Sequence, residues 1–217
     1  MKRMALGLAL AGLMVVSSVA FAAEKQEIAG IGLLQVPKQV RIESGEQAAI
    51  AYHETKSPKL SFARKGIPDA QFYTVTWENG PDFSYGYVLS GTVGAQYLQR
   101  EGVSGYRDLS LEEQLDKIAD TMNREIIKDG AVFEGEMPLV KLTDKKHPRY
   151  EGMFTVTKKE KDITYRTAYY MTVQINEIRI SVGLIASDAD KPELTKALAD
   201  MMKKRTFPEN KNFMRNL

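Results

Sequence analysis

The chain offers few groups that could do chemistry. It contains two histidines and no cysteine. His53 stands in Tyr52-His53-Glu54, at the end of an expected strand, and His147 in Lys146-His147-Pro148-Arg149, a loop pattern. Neither has a second histidine at metal-ligating spacing, and HExxH is absent, so both are expected as surface or partly packed imidazoles. Without cysteine there is no thiol catalysis, no CxxC redox pair and no thiolate zinc site. Gly102-Val103-Ser104-Gly105 lacks the spacing of a nucleophile elbow, and no Ser-x-x-Lys occurs. Gly30-Ile31-Gly32 and Gly91-Thr92-Val93-Gly94 lack the further glycines and the lysine of nucleotide-binding loops, and read as turns or strand ends.

Paired carboxylates are the remaining catalytic option. Glu134 and Glu136 alternate on one potential strand, and Asp188 and Asp190 straddle a helix start. A glycosidase needs two carboxyls set across a cleft. Asp190 already has a structural use as a helix cap, and Asp188-Ala189-Asp190 lacks the glycine and distant glutamate of a calcium loop. No catalytic, metal or cofactor residue is assigned. The most distinctive local feature is aromatic: Phe72, Tyr73, Trp77, Phe83, Tyr85 and Tyr87 crowd one hairpin. Packing accounts for most of them. A ligand or partner surface, if present, is sought first at Trp77, Tyr85 and Tyr87, then at Arg166 and Tyr170.

These residues need elements to hold them. Glu24 to Glu27 reads as a polar leader, and Ile28 to Val36 as an apolar segment closed by Pro37. Val40–Ile42 and Ala48–Tyr52 are expected as short strands. Gln71–Trp77 and Phe83–Leu89, separated by Glu78-Asn79-Gly80-Pro81-Asp82, read as a hairpin. Ser110 with Glu113 makes a capping-box pattern, followed by Leu111, Leu115, Ile118, Met122 and Ile126 on one helical stripe that Gly130 ends. Gly152–Thr157 and Ile163–Ile175 are strands around the turn Lys159–Asp162. In the second, odd positions are mostly apolar and even positions mostly polar, which puts one face on a core and the other on solvent or a second layer. Ile178, Ile180, Val182 and Leu184 continue the alternation. Asp190 as cap and Pro192 in the first turn open a last helix with Leu194, Leu198 and Met201 on one stripe.

The order of strands, helix, strand meander and helix predicts an α+β fold, an antiparallel sheet with helices packed on it. Tyr150-Glu151-Gly152, two long strands closing on Ile178-Arg179-Ile180-Ser181, then Asp190 and a helix ending in Lys204-Arg205-Thr206-Phe207, resemble the C-terminal half of the PsbP-like group. Gly32-Leu33-Leu34-Gln35-Val36-Pro37 is similar to that group's opening strand. The resemblance implies a PsbP-like αβ sandwich and a non-enzymatic binding or assembly factor, and it carries no functional residue across, because the group has no shared active site.

The chain starts with Lys2 and Arg3, an apolar run from Met4 to Val16, and Ala20-Phe21-Ala22. This is the three-part pattern of a cleaved secretory signal over 1–22. The expected product is one periplasmic or secreted domain over 23–207 with a loose tail over 208–217. No later stretch is apolar enough to span a membrane. Of 30 basic residues the signal removes Lys2 and Arg3, leaving 28 against 28 acidic ones. A neutral domain gives no electrostatic case for nucleic acid, which wants a basic face. The runs Lys158-Lys159-Glu160-Lys161 and Lys203-Lys204-Arg205 read as a solvated turn and a helix end. The sequence therefore predicts an exported bacterial protein of the cell envelope that binds an envelope protein or cell-wall polymer without a cofactor. The alternative is an envelope hydrolase whose carboxylates form no visible motif.

Overall fold

The structure is a computed structural model and describes residues 24–45, 67, 70–79, 82–93, 97, 102 and 105–207. The signal pattern, Ala48–Tyr52, His53 and the tail over 208–217 lie outside the described residues.

Among the described residues five strands precede a first long helix, and five more strands precede a second. The strands are β1 (Glu24–Ile28), β2 (Gly32–Val36), β3 (Val40–Ser44), β4 (Gln71–Asn79), β5 (Asp82–Thr92), β6 (Ala131–Val132), β7 (Val140–Leu142), β8 (Arg149–Glu160), β9 (Ile163–Asn176) and β10 (Arg179–Asp188). The helices are α1 (Leu111–Lys128) and α2 (Pro192–Lys203). The expected α+β class is observed. An eight-stranded sheet runs β3-β4-β5-β10-β9-β8-β6, with β7 also on β8, and every pairing in it is antiparallel. β1 and β2 form a separate two-stranded sheet.

Two layers cover the large sheet. On one face, α1 lays Leu115, Ile118, Met122 and Ile126 against Phe154, Tyr169, Met171, Val173 and Leu184. On the other, the β1–β2 hairpin and α2 bury Ile28, Ile31, Leu34, Leu194, Leu198 and Met202 against Val75, Val88, Tyr170 and Ile185. Apolar burial on both faces drives this arrangement. From Ala168 onward the even face of β9 thus meets a second layer and not solvent: Tyr170, Thr172 and Gln174 are all buried, while Thr164 and Arg166 remain exposed. Gly183 permits the close approach of that layer, because a side chain there would collide with Ile31.

Local chemistry explains the helix ends. The Ser110 Oγ accepts the Glu113 backbone N–H at 3.2 Å, and the Glu113 carboxylate accepts the Ser110 N–H at 2.8 Å. That reciprocal bonding draws the Glu113 carboxyl below its usual range. The start of α2 differs from expectation. Its N-cap is Lys191, which makes no side-chain cap bond, with Pro192 as the first helical residue. Asp190 is drawn away by Arg166, whose guanidinium donates to it at 2.9 Å. The polar leader is also corrected, for Glu24–Ile28 is strand β1 because it finds a partner in β2, Glu24 opposite Val36. Glu134 and Glu136 lie between β6 and β7, outside any strand, so the alternation expected of them does not occur.

Candidate functional site

The five residues picked from the sequence do not come together. Tyr87 is buried in the α1-side core, its ring 6.4 Å from Tyr169 in an edge-on contact, so it presents nothing to a partner. Tyr170 is buried on the opposite face. Both belonged to the expected binding surface, and burial in two different cores removes them from it. Trp77 is half-buried against the second core, while Tyr85 is exposed. In the β4–β5 register Trp77 pairs with Ser84 and Thr76 with Tyr85, so Trp77 and Tyr85 point to opposite faces. Arg166 is exposed and occupied by Asp190. No group of three or more His, Cys, Asp or Glu able to hold a metal occurs among the described residues.

What the fold does bring together lies on the second-layer face of β8 and β9. Register aligns Glu151 with Thr172 and Arg149 with Gln174. Over them comes Arg205, two residues past α2, with a side chain only 2% exposed. Its guanidinium donates to the Ile31 carbonyl at 3.0 Å, the Met202 carbonyl at 2.6 Å, the Thr172 hydroxyl at 3.3 Å and the Glu151 carboxylate. Glu151 also accepts the Arg149 Nε at 2.9 Å and the Tyr170 hydroxyl at 2.8 Å. Arg149 in turn donates to Asp144 at 2.9 Å and to the His147 carbonyl at 3.0 Å.

An aromatic ring closes the cluster. Both guanidinium carbons, of Arg149 and Arg205, stand 4.7 Å from the Phe207 centroid, and the His147 ring stacks on Phe207 at 4.9 Å. Thr206 exchanges backbone bonds with Leu33 at 2.9 and 3.0 Å. Gly32, at φ +125°, makes room for it, since a Cβ there would stand 2.8 Å from the Thr206 oxygen.

The electrostatics follow from burial and pairing. Burial, with Glu151 alongside, pushes the Tyr170 phenol up to about 12, so it stays protonated and donates. Burial opposes the charge of Asp144, but Arg149 and the backbone N–H groups of Lys146 and His147 outweigh it and hold the carboxyl below its usual range. Burial lowers His147, which stays neutral near pH 7. Both Glu151 oxygens are filled by fixed donors. The cluster ties β8 and β9 to the end of α2 and to the β1–β2 turn.

Beside it the second layer stops. One row across the sheet runs Tyr73, Val88, Ile185, Tyr170, Met153. The middle three are buried beneath the hairpin and α2, whereas Met153 is 47% exposed. Register puts Val140 opposite Glu151 and Val132 opposite Thr155 on that same face, 58% and 62% exposed. Val140, Met153 and Val132 thus form an uncovered apolar strip along the β8 edge.

The sequence reading missed this cluster and strip. Tyr150-Glu151-Gly152 and Lys204–Phe207 are separate segments of the sequence, and their meeting is tertiary. The available signal was weak: Arg149 and Glu151 at strand spacing, and the polar even positions of β9. No helix among the described residues is long and apolar enough to cross a membrane. No family model matches the chain, and no curated protein or solved structure matches it.

Proposed function

We propose that this chain is an exported bacterial binding or assembly protein of the cell envelope, which docks an envelope protein and carries out no catalysis. The observation that supports it is the Val132–Val140–Met153 strip. Exposed apolar side chains grouped on one sheet face mark association surfaces more often than isolated ones do. The saturated ionic cluster beside the strip makes its base rigid, and a preorganised surface loses less entropy on docking. The signal pattern supports the location, and the PsbP-like resemblance supports both the αβ-sandwich reading of the fold and the non-enzymatic role. A stacked sugar polymer is less suited to this strip, which carries no aromatic ring.

The hydrolase alternative has one observation in its favour: Asp144, Glu151 and His147 all gather about Arg149. Against it, both carboxylates are committed to guanidinium donors. The experiment places a photo-crosslinking residue at position 153, or at the exposed Ile178 turn as control, in cells exporting the protein. The expected result is a discrete protein adduct from 153, absent from 178 and lost in Val140→Asp. An adduct pattern identical at both positions overturns the docking reading. Turnover of envelope polymer by the purified protein, lost in Glu151→Gln, would replace it with the hydrolase.

A further inference from the structure

The Lys158-Lys159-Glu160-Lys161 run is placed where a simple solvated turn would not need it. β10 reaches β9 only as far as Asp188 opposite Thr167, and β6 reaches β8 only as far as Ala131 opposite Val156. Beyond those points Thr157–Glu160 and Ile163–Arg166 pair only with each other among the described strands. The β8–β9 hairpin therefore projects past the sheet as a two-stranded ribbon. Thr157–Thr164 is exposed at every position, and Tyr165 alone is half-buried. An isolated two-stranded ribbon is marginal in water, and ordering one with so little burial works against chain entropy. The fold itself gains little from it.

The ribbon's chemistry is specific. Ile163, beside the tip, is 56% exposed. Register sets Glu160 opposite Ile163 with Lys158 on the same face, Lys159 on the other face beside Thr164, and Lys161 with Asp162 in the turn at the tip. Lys158 is paired with Glu160, and Arg166 at the base with Asp190. Lys159 and Lys161 have no ion-pair partner among the described residues. Lys161 also takes φ +55°, a left-handed position that glycine or asparagine occupies at lower cost. Lysines along the ribbon guard its open edges against another strand, which argues against recognition by strand addition.

We propose that the β8–β9 ribbon is a membrane-surface contact, which sets Ile163 at the headgroup boundary of an anionic phospholipid bilayer with Lys159 and Lys161 on the phosphates. A projecting tip reaches a planar surface without the body of the domain intervening. Long lysine stems let the ammonium groups reach phosphate while an apolar neighbour enters the interface. Asp162 and Glu160 limit the attraction, so binding is weak and salt-sensitive. Neither the apolar strip nor a protein docked on it takes part in this contact.

The test uses protein purified from the exported fraction, with its N-terminus checked so that no signal segment remains. Sedimentation is compared between phosphatidylcholine vesicles and vesicles with about 30 mol% phosphatidylglycerol, an anionic content typical of a membrane surface. Binding is expected only to the anionic vesicles, falling as salt rises. Each lysine at an anionic surface contributes about fivefold in partitioning, so Lys159→Gln/Lys161→Gln should lose on the order of 25-fold. Ile163→Ser should weaken binding without changing the salt dependence. Lys145→Gln/Lys146→Gln removes the same charge at the other end of β8 and should bind as wild type. These positions are exposed, so all variants should fold normally. Equal binding to both vesicles, no binding at low salt, or equal losses from the two lysine pairs would overturn the proposal. Binding to soluble polyglutamate as tight as to vesicles, and insensitive to Ile163→Ser, would overturn it in favour of an acidic protein partner.

Discussion

The two ends of the β8–β9 hairpin share one unbroken register and behave as different materials. From Arg149 to Val156, opposite Thr167 to Gln174, both strands pack under α1, and β9 also lies under the α2–hairpin layer. From Thr157 to Arg166 the same ladder continues with every side chain exposed except half-buried Tyr165. The β8–β9 ladder is common to both halves, but only the inner half is also flanked, by β10 on one side and by β6 and β7 on the other. Flanking strands and burial together set the halves apart. In the inner half an unpaired charge would be costly, and each charged group is bound: Arg205 to Glu151, Glu151 to Arg149, Arg149 to Asp144. In the outer half water screens charge, and Lys159 and Lys161 can stand alone at little cost.

The sharpest way to break that contrast is Glu151→Gln. It leaves the Arg205 guanidinium buried without its counter-charge, and loss of one partner of a buried ion pair costs about 3–5 kcal/mol. Urea unfolding should show a fall in that range, and a loss below about 1 kcal/mol would mean that water reaches the cluster. Next comes Ile31→Ala, which removes the side chain that presses the hairpin onto Gly183. A buried isoleucine truncated to alanine costs about 2–5 kcal/mol depending on how far the site collapses, and we expect about 3 kcal/mol.

A smaller effect, confined to alkaline pH, belongs to Tyr170. The folded phenol holds its proton up to about 12, whereas an unfolded tyrosine releases it near about 10. The folded value is the higher one, so its contribution is complete below about pH 10 and is lost as pH rises towards about 12. The two values correspond to at most about 2–3 kcal/mol. Tyr170→Phe should flatten that part of the alkaline limb relative to wild type, and identical limbs would show the phenol to be solvated. The smallest effect is the ribbon's. Lys159→Gln/Lys161→Gln should move stability by less than about 0.5 kcal/mol, while amide exchange at 157–165 should run far faster than at 168–175 in both proteins. Equal protection along the whole hairpin would erase the comparison.

Much of the framework was legible because it is local. The Ser110–Glu113 box and the Leu115-Ile118-Met122-Ile126 stripe need only neighbours within one or two turns, and α1 forms as expected. The apolar and aromatic runs of β4 and β5 and the alternation in β9 likewise depend on nearby residues, and the β4–β5 and β8–β9–β10 ladders followed. Local rules failed where a distant group competed. Asp190 has the composition of a cap, but Arg166, 24 residues away, takes its carboxylate. Tyr87 and Tyr170 have the composition of a binding surface, but helices placed on opposite faces bury them.

The sequence by itself determined α1, the long strands of the meander and their two-faced character, and the neutrality expected of the exported form. These depend on side-chain period and on charge counts. Only the tertiary structure decided that the polar face of β9 is covered, that Glu151 receives a guanidinium from 54 residues away, and that Arg205 binds a carbonyl 174 residues away. It also decided that the Lys158–Lys161 run stands at the tip of a free ribbon. The physical reason is the same in each case. The energy of a charge or an aromatic ring depends on whether water surrounds it, and water is excluded by segments remote in sequence.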